Sequence, residues 1–150
     1  MAQTEGIAQN KLNRLIGKGK FKQAAKLLEK TVKKTPTDDR SRMKLGELYL
    51  RLGQGEEAFA QLAFVGNRYR EGGMLMKAKA VYSRLVELNE DHVDYVRALA
   101  ELNQNIGLSD EATVQYQKLA GLLIRSGKKN ETLGIFATML DIGVAQVEDR

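Results

Sequence analysis

The chain has 150 residues, of which 43% are hydrophobic, with one Pro, no Cys and a formal net charge of +5. This length suffices for one domain or a short repeat array with a buried core, and the lack of cysteine excludes disulfides and thiolate metal sites. No apolar run is long enough to cross a bilayer and Met1–Asn10 has no signal-peptide pattern, so a reducing cytoplasm is expected.

Strong helix formers dominate the composition, which predicts an all-α fold. In chain order the expected helices span residues 5–17, 20–34, 38–52, 55–71, 74–89, 92–106, 109–126 and 128–143. Five glycines at helix ends are expected to adopt the left-handed conformation: Gly19, Gly53, Gly73, Gly107 and Gly127. Thr37 or Asp38, Asp91 and Ser109 are the predicted helix N-caps.

The first third of the chain is strongly basic. Residues 1–44 hold twelve Lys/Arg against four Asp/Glu, a charge of +8, whereas residues 45–150 carry −3. The second predicted helix carries a row of five lysines: Lys22, Lys26, Lys30, Lys33 and Lys34. This row is either the solvated face of an amphipathic helix or a patch for an acidic partner, nucleic acid or an anionic membrane surface. Nucleic acid is the weaker alternative, because Phe21 is the only aromatic residue of this helix.

The stretch "GELYLRLGQGEEAFAQL", residues 46–62, predicts a helix, a glycine turn and a second helix. Gly46 and Ala58 are small where two helices approach closely, and Tyr49 and Leu62 are expected to fill the space beside them.

The pattern repeats along the chain at the spacing that separates Gly53 from Gly107. Three further sets share this spacing: Gly19, Gly73 and Gly127; Ala24, Ala78 and Thr132; Leu28, Tyr82 and Phe136, of which Phe136 is predicted to lie in the core. Since a long interval, as from Gly19 to Gly53, alternates with a short one, as from Gly53 to Gly73, the helices at 56–70 and 109–125 each serve two successive helix pairs. The repeating unit is therefore three helices.

These positions resemble the tetratricopeptide repeat. Leu45, Gly46, Tyr49, Gly53, Ala58 and Leu62 match its pattern in order, as do Leu15, Gly19, Phe21, Ala24, Leu28 and Pro36, and Gly66, Tyr69, Gly73, Ala78 and Tyr82. The resemblance implies a right-handed α-solenoid of helix pairs, about eight helices in a single domain over residues 1–150. It also implies a non-enzymatic adaptor that binds a protein or peptide on its concave face.

The resemblance further implies which side chains line that face. Those carried over from the first helices of the pairs are Gln9, Asn13, Met43, Glu47, Leu50, Ala63, Asn67, Arg70, Arg97, Glu101 and Gln104. Glu47 and Gln9 stand where the family's clamp for a C-terminal carboxylate uses Asn and Lys, so that clamp is not expected. An ordinary solvated surface is the alternative for any one of these residues.

The last predicted helix, within "TLGIFATMLDIGV", is apolar nearly all round. Ile135, Ile142 and Val144 are predicted to lie against a second subunit, a partner or further repeats. The alternative is a short final helix that folds back, with Ile142 and Val144 frayed. If the helix is covered by a second copy, the function is homo-oligomerisation.

No residues point to catalysis, a cofactor or a metal. His92 is the only histidine, no cysteine is available as nucleophile, and "GLLIRSGKK" departs from a phosphate loop in both its spacing and its final residue. The sequence therefore predicts a bacterial, cytoplasmic protein-interaction adaptor. The two alternatives are a binder of nucleic acid or anionic surfaces through residues 11–44, and an oligomerisation module.

Overall fold

The computed structural model describes the backbone of residues 2–148 and the side chains of residues 6–148. These residues form eight α-helices and no strand, so the predicted all-α fold is confirmed. The helices are α1 (Ala2–Gly17), α2 (Phe21–Lys34), α3 (Asp39–Arg51), α4 (Gly55–Glu71), α5 (Leu75–Leu88), α6 (Val93–Ile106), α7 (Ser109–Arg125) and α8 (Lys129–Glu148).

Five helices end in the same glycine turn. The five predicted turn glycines have φ between +67° and +88°, and no other described residue has a positive φ. At each turn the residue after the glycine donates its backbone N–H to a carbonyl five residues earlier, as from Leu108 to Asn103 at 2.8 Å. This bond satisfies a carbonyl that the end of the helix would otherwise leave without a partner.

The predicted repeat period is visible in the helix bounds. Both ends of α2 recur in α5, and both ends of α4 recur in α7, at the spacing from Gly53 to Gly107. Helix α8 begins at the repeat position of Leu75 but continues beyond Ile142, the repeat position of Leu88, as far as Glu148. The predicted end at residue 143 was therefore too early. Residues 144–148 contain neither a proline nor a turn glycine that would stop the helix.

The chain divides into two compact units, Met1–Val65 and Gly66–Arg150, with the boundary inside α4. The single domain expected over residues 1–150 stays a prediction.

The core of the first unit lies between its helices and centres on Leu12, Ala24, Leu28, Leu45 and Leu48. Helices α3 and α4 approach closely at Gly46, where a Cβ atom would stand 3.0 Å from Leu62 Cδ2. The predicted role of Gly46 as a small residue at a helix contact is thus confirmed, and the predicted filler Leu62 is fully buried.

The core of the second unit is a row of fully buried aliphatic side chains from successive helices, namely Leu85, Val96, Leu102, Leu119 and Leu123. Each such leucine or valine stabilises the fold by about 1.5–3 kcal/mol relative to an exposed side chain. Helices α4 and α5 approach at Gly66, where a Cβ atom would lie 3.0 Å from the Tyr82 ring.

One of the three helix caps was predicted correctly. Asp38 Oδ1 accepts a hydrogen bond from the Ser41 backbone N–H at 3.0 Å, at the start of α3. Asp91 and Ser109 are wrong as caps, because His92 and Leu108 occupy the N-cap positions of α6 and α7, without side-chain caps. The Leu108 N–H closes the turn after α6, so the next residue, Ser109, already belongs to the helix.

Candidate protein-binding surface

In the first unit the predicted binding residues lie on three helices, with half-buried Ala63 on α4 and the others on α1 and α3. Gln9 and Asn13 are exposed on α1, where Gln9 Nε2 donates to Asn13 Oδ1 at 3.0 Å. Met43, Glu47 and Leu50 share one face of α3 by their spacing. Glu47 is exposed, whereas Met43 and Leu50 are half-buried.

In the second unit, ion pairs join alternate helices across an exposed surface. Arg70 at the end of α4 lies 3.8 Å from Glu101 of α6, and Arg97 of α6 lies 2.9 Å from Glu131 of α8. The side chains of these four residues are between 31% and 47% exposed, so they stay accessible to another molecule. The structure therefore brings together three predicted binding residues, Arg70, Arg97 and Glu101.

Two tyrosines connect the core to this surface. Tyr82 of α5 donates its hydroxyl to Asn67 Oδ1 at 2.6 Å, and Tyr116 of α7 donates to Gln104 Oε1 at 2.7 Å. Both tyrosines are buried, whereas Asn67 and Gln104 are exposed. Since each phenol takes the amide oxygen, the amide NH₂ of Asn67 and Gln104 is left to donate outward.

We call the set formed by Asn67, Arg70, Arg97, Glu101, Gln104 and Glu131 the polar ladder. The phenols of Tyr82 and Tyr116, which donate to this ladder, are held neutral. Burial is the largest influence on Tyr82 and raises its pKa, whereas the charge of Arg70 lowers it. Burial is also the main reason for the raised pKa of Tyr116, and the negative charge of Glu101 is the second. Because both phenols stay protonated at ordinary pH, they remain hydrogen-bond donors to the ladder.

Sequence reasoning missed Glu131 and the hydroxyl partners of the tyrosines. Glu131 follows Arg97 at the same spacing that relates Asn67 to Glu101. This spacing is the signal that could have placed α8 on the same surface as α4 and α6. No sequence pattern predicts which groups the tyrosine hydroxyls contact.

The five lysines predicted as a basic row all lie exposed on α2. Among the described residues none of them forms an ion pair with a carboxylate. The opposite side of the helix carries its buried residues Ala24, Ala25, Leu28 and Val32. The geometry is that of an amphipathic helix with an uncompensated basic face, which we call the lysine face.

The residues of α8 predicted to contact a partner differ in their exposure. Ile135 and Ile142 are buried, whereas Val144 is 51% exposed. Phe136 was predicted to lie in the core and is 48% exposed, so this prediction is wrong. Its repeat position Tyr82 is buried because α6 packs against α5, and no described helix follows α8.

The only histidine of the chain lies against an aromatic ring, and the described side chains of residues 6–148 form no metal-binding cluster. His92 stacks on the Tyr95 ring with a centroid distance of 3.6 Å, and no group of three or more His, Asp or Glu is placed to hold a metal ion in this part of the chain. The Ser126 hydroxyl, within the segment "GLLIRSGKK", donates to the Leu122 carbonyl. None of the described helices has the length and apolarity needed to cross a membrane.

Helices joined by recurrent glycine turns, with ion pairs between alternate helices, define a helical-repeat protein. Residues 15–72 match the tetratricopeptide repeat family, so the resemblance found in the sequence is confirmed. The same glycine turns recur beyond the matched segment, as far as the turn before α8.

Solved structures of repeat proteins align with most of the chain at low identity. The MamA protein is 19% identical, with 99% of this chain and 96% of that chain covered and a TM-score of 0.41. The type III secretion translocator chaperone SycD of Yersinia enterocolitica is 15% identical, with 97% and 88% covered and a TM-score of 0.45. The first TPR of Spaghetti (RPAP3), solved with the HSP90 peptide SRMEEVD, is 16% identical, with 98% and 96% covered and a TM-score of 0.40. No curated protein matches the sequence.

Proposed function

We propose that this chain is a non-enzymatic adaptor of a bacterial cytoplasm that binds a protein or peptide on the polar ladder of its second unit. Two ion pairs carry the proposal, Arg70–Glu101 and Arg97–Glu131. They hold exposed charges of both signs at fixed positions on α4, α6 and α8.

Stability alone gives little reason for this arrangement. Exposed ion pairs contribute only about 0–1 kcal/mol to folding, so their charged groups can exchange partners at low cost. The tyrosine hydroxyls hold the amides of Asn67 and Gln104 in place before a ligand arrives. Side chains ordered in advance lose less entropy on binding. The ladder suits an extended peptide or a helix that carries both acidic and basic side chains.

The first unit offers a candidate binding surface of its own. Gln9, Asn13 and Glu47 supply polar groups, and Met43 and Leu50 supply half-buried apolar contacts on the same face as Glu47. In this proposal they form a contact surface of the first unit by itself.

The test selects peptides from a phage-displayed library of random sequences on the purified chain. Selected peptides are then titrated against a variant with Arg70→Ala, Glu101→Ala and Gln104→Ala. These residues lie at the surface, so the variant should fold. We expect its affinity for the peptides to fall at least about tenfold, because interface hot spots include arginines.

A matched control removes an ion pair of the same kind elsewhere on the second unit. Lys79 of α5 lies 3.7 Å from Glu111 of α7, so Lys79→Ala with Glu111→Ala also breaks an ion pair between alternate helices. The peptides should bind this variant as they bind the wild type. Equal loss in both variants, or no peptide enriched by the wild type, would contradict the proposed surface.

The lysine face of α2 supports a second candidate function, which is binding to a polyanion. Five exposed lysines without carboxylate partners in the described chain would attract a phosphate backbone. The probe is a fluorescent single-stranded oligonucleotide, with fluorescence anisotropy measured over a range of salt concentrations. Binding that weakens steeply with salt and is lost in Lys22→Gln with Lys26→Gln and Lys30→Gln supports it. Absence of binding at low salt would show a merely solvated face.

A further inference from the structure

Helix α8 carries a continuous apolar stripe on the side opposite its buried face. The exposed members are Leu133, Phe136, Leu140, Val144 and Val147, with exposed fractions between 48% and 73%. Ile135 and Ile142 lie on the other side of the helix from the stripe and are buried. Glu131, the α8 member of the polar ladder, also points away from the stripe by its helical position, so the two surfaces are separate.

The spacing of the stripe is symmetric about Leu140. Successive members are three, four, four and three residues apart, so Leu133 and Val147 lie equally far from the centre, as do Phe136 and Val144. The stripe extends about 21 Å along the helix axis. Val144 and Val147 belong to the part of α8 that continues beyond the repeat position of the α5 end. Without this extension the stripe would end at Leu140 and would not be symmetric about it.

We infer that the stripe is the contact surface of an antiparallel homodimer in which two copies of α8 pair about a twofold axis at Leu140. A twofold axis there places Leu140 on its own copy, Phe136 on Val144 and Leu133 on Val147, so every apolar member meets an apolar member. A twofold interface requires this kind of self-complementary surface. In a parallel pairing the valine end of the stripe would meet only valines, and the larger side chains would meet only one another.

Charge at the ends of the helix favours the same orientation. Lys129 lies exposed on the stripe side at the start of α8, and Glu148 lies exposed at its end. Antiparallel pairing brings Lys129 of one copy near Glu148 of the other, and it also opposes the two helix dipoles. Asp141 is the charge that works against the pairing, because it follows Leu140 directly and therefore lies close to its own copy at the axis.

The size of the stripe sets the expected strength of the dimer. Contiguous exposed apolar patches of several hundred Å² mark interaction sites, and five large side chains with their flanks reach roughly that size. Pairing of two such patches buries less area than standard specific interfaces do, so we expect a weak dimer. Self-association should therefore depend on concentration within an accessible range.

The first test is sedimentation velocity of the full chain over a range of concentrations. The wild type should pass from monomer to dimer, and Leu140→Lys should weaken the dimer by at least about 30-fold, because a lysine on the axis faces its own copy. The control is Val114→Lys, which changes a 58%-exposed valine of α7 outside the stripe and should leave the dimer unchanged. Asp141→Asn should strengthen it.

The orientation is tested by cysteine cross-linking, since the chain has no cysteine of its own. Leu140→Cys should give a covalent dimer on mild oxidation, whereas Leu133→Cys should not and Leu133→Cys with Val147→Cys should. Efficient cross-linking of Leu133→Cys alone would show a parallel pair and overturn the inference. A wild type that stays monomeric at all concentrations would also overturn the inference. The stripe would then bind a different chain segment or a different partner.

Discussion

The tightest contacts between helices occur at single glycines. A Cβ atom on Gly46 would stand 3.0 Å from Leu62 Cδ2 and 3.4 Å from the Ala58 carbonyl oxygen. Leu62 is fully buried and has little room to retreat. We therefore expect Gly46→Ala to destabilise the protein by about 1–3 kcal/mol, as overpacking of a core does, measured by urea unfolding.

The matched control is Gly121→Ala in the second half of α7, where no heavy atom lies within 4 Å of the added Cβ. Here alanine relieves only the entropy cost of glycine in a helix, so the variant should be stabilised by roughly 0.5–1 kcal/mol. If both alanine variants changed stability in the same direction, the proposed steric role of Gly46 would be wrong.

Tyr49 makes stability depend on alkaline pH. Its hydroxyl donates to Glu29 Oε1 at 2.9 Å, and burial, with Glu29 as the second cause, raises its pKa from 10.0 to about 12. The folded protein thus favours the neutral phenol. The resulting stabilisation is present in full below pH 10 and is lost as the pH rises through about 12.

Wild-type stability should therefore fall more steeply between pH 10 and pH 12 than that of Tyr49→Phe, which has no phenol to ionise. The measurement is the difference in unfolding free energy between the two proteins across this range, which removes the contribution of titrating lysines. Parallel pH profiles would show that the environment of Tyr49 does not favour its neutral form.

At the scale of single residues, sequence reasoning succeeded where the backbone dictates the residue type. The five turn glycines were all identified, because few other residues adopt a positive φ without strain. It failed for Phe136, whose type is the same whether a neighbouring helix covers it or not. Burial of such a residue depends on which elements pack beside it.

At the scale of helices, Asp38 and Ser109 provide a contrast between a cap that forms and one that does not. Asp38 accepts from the Ser41 N–H, whereas Ser109 is already inside α7. We expect Asp38→Ala to cost about 1 kcal/mol, and Ser109→Ala to stay within about 0.5 kcal/mol of the wild type. Thermal unfolding followed by circular dichroism measures both, and equal costs would contradict the cap assignment.

Helix positions were predictable to within a few residues because apolar periodicity and turn glycines mark both ends. The exception is the end of α8, which runs to Glu148. Interior helices end where the chain must turn back to pack against its neighbour, and the sequence often marks that turn with glycine. Between Ile142 and Glu148 no such turn occurs, and Gln146 of this segment donates its Nε2–H to Asp110 Oδ1 of α7 at 3.0 Å, so the end of α8 stays against α7.

For the molecule as a whole, the division into two units predicts where a core mutation acts. Leu119 is fully buried in the second unit, and Leu119→Ala should cost about 2–5 kcal/mol. In a repeat protein each element is stabilised mainly by its neighbours, so hydrogen exchange should quicken most in α6, α7 and α8, and least in α1 and α2. Val114→Ala, an exposed change in the same helix, is the control and should leave exchange unchanged.

A uniform loss of protection from α1 to α8 would instead show that the two units unfold as one. That result would support the single domain predicted from the sequence.

The sequence by itself determined the all-α fold, the helix count, the glycine turns and the repeat period, because periodicity and backbone conformation are local properties. Tertiary structure alone decided which polar side chains meet. The Arg97–Glu131 contact and the tyrosine hydrogen bonds join residues far apart in the chain. It also decided which face of α8 is buried, since both faces are apolar and only the packing of α7 against one of them distinguishes the two.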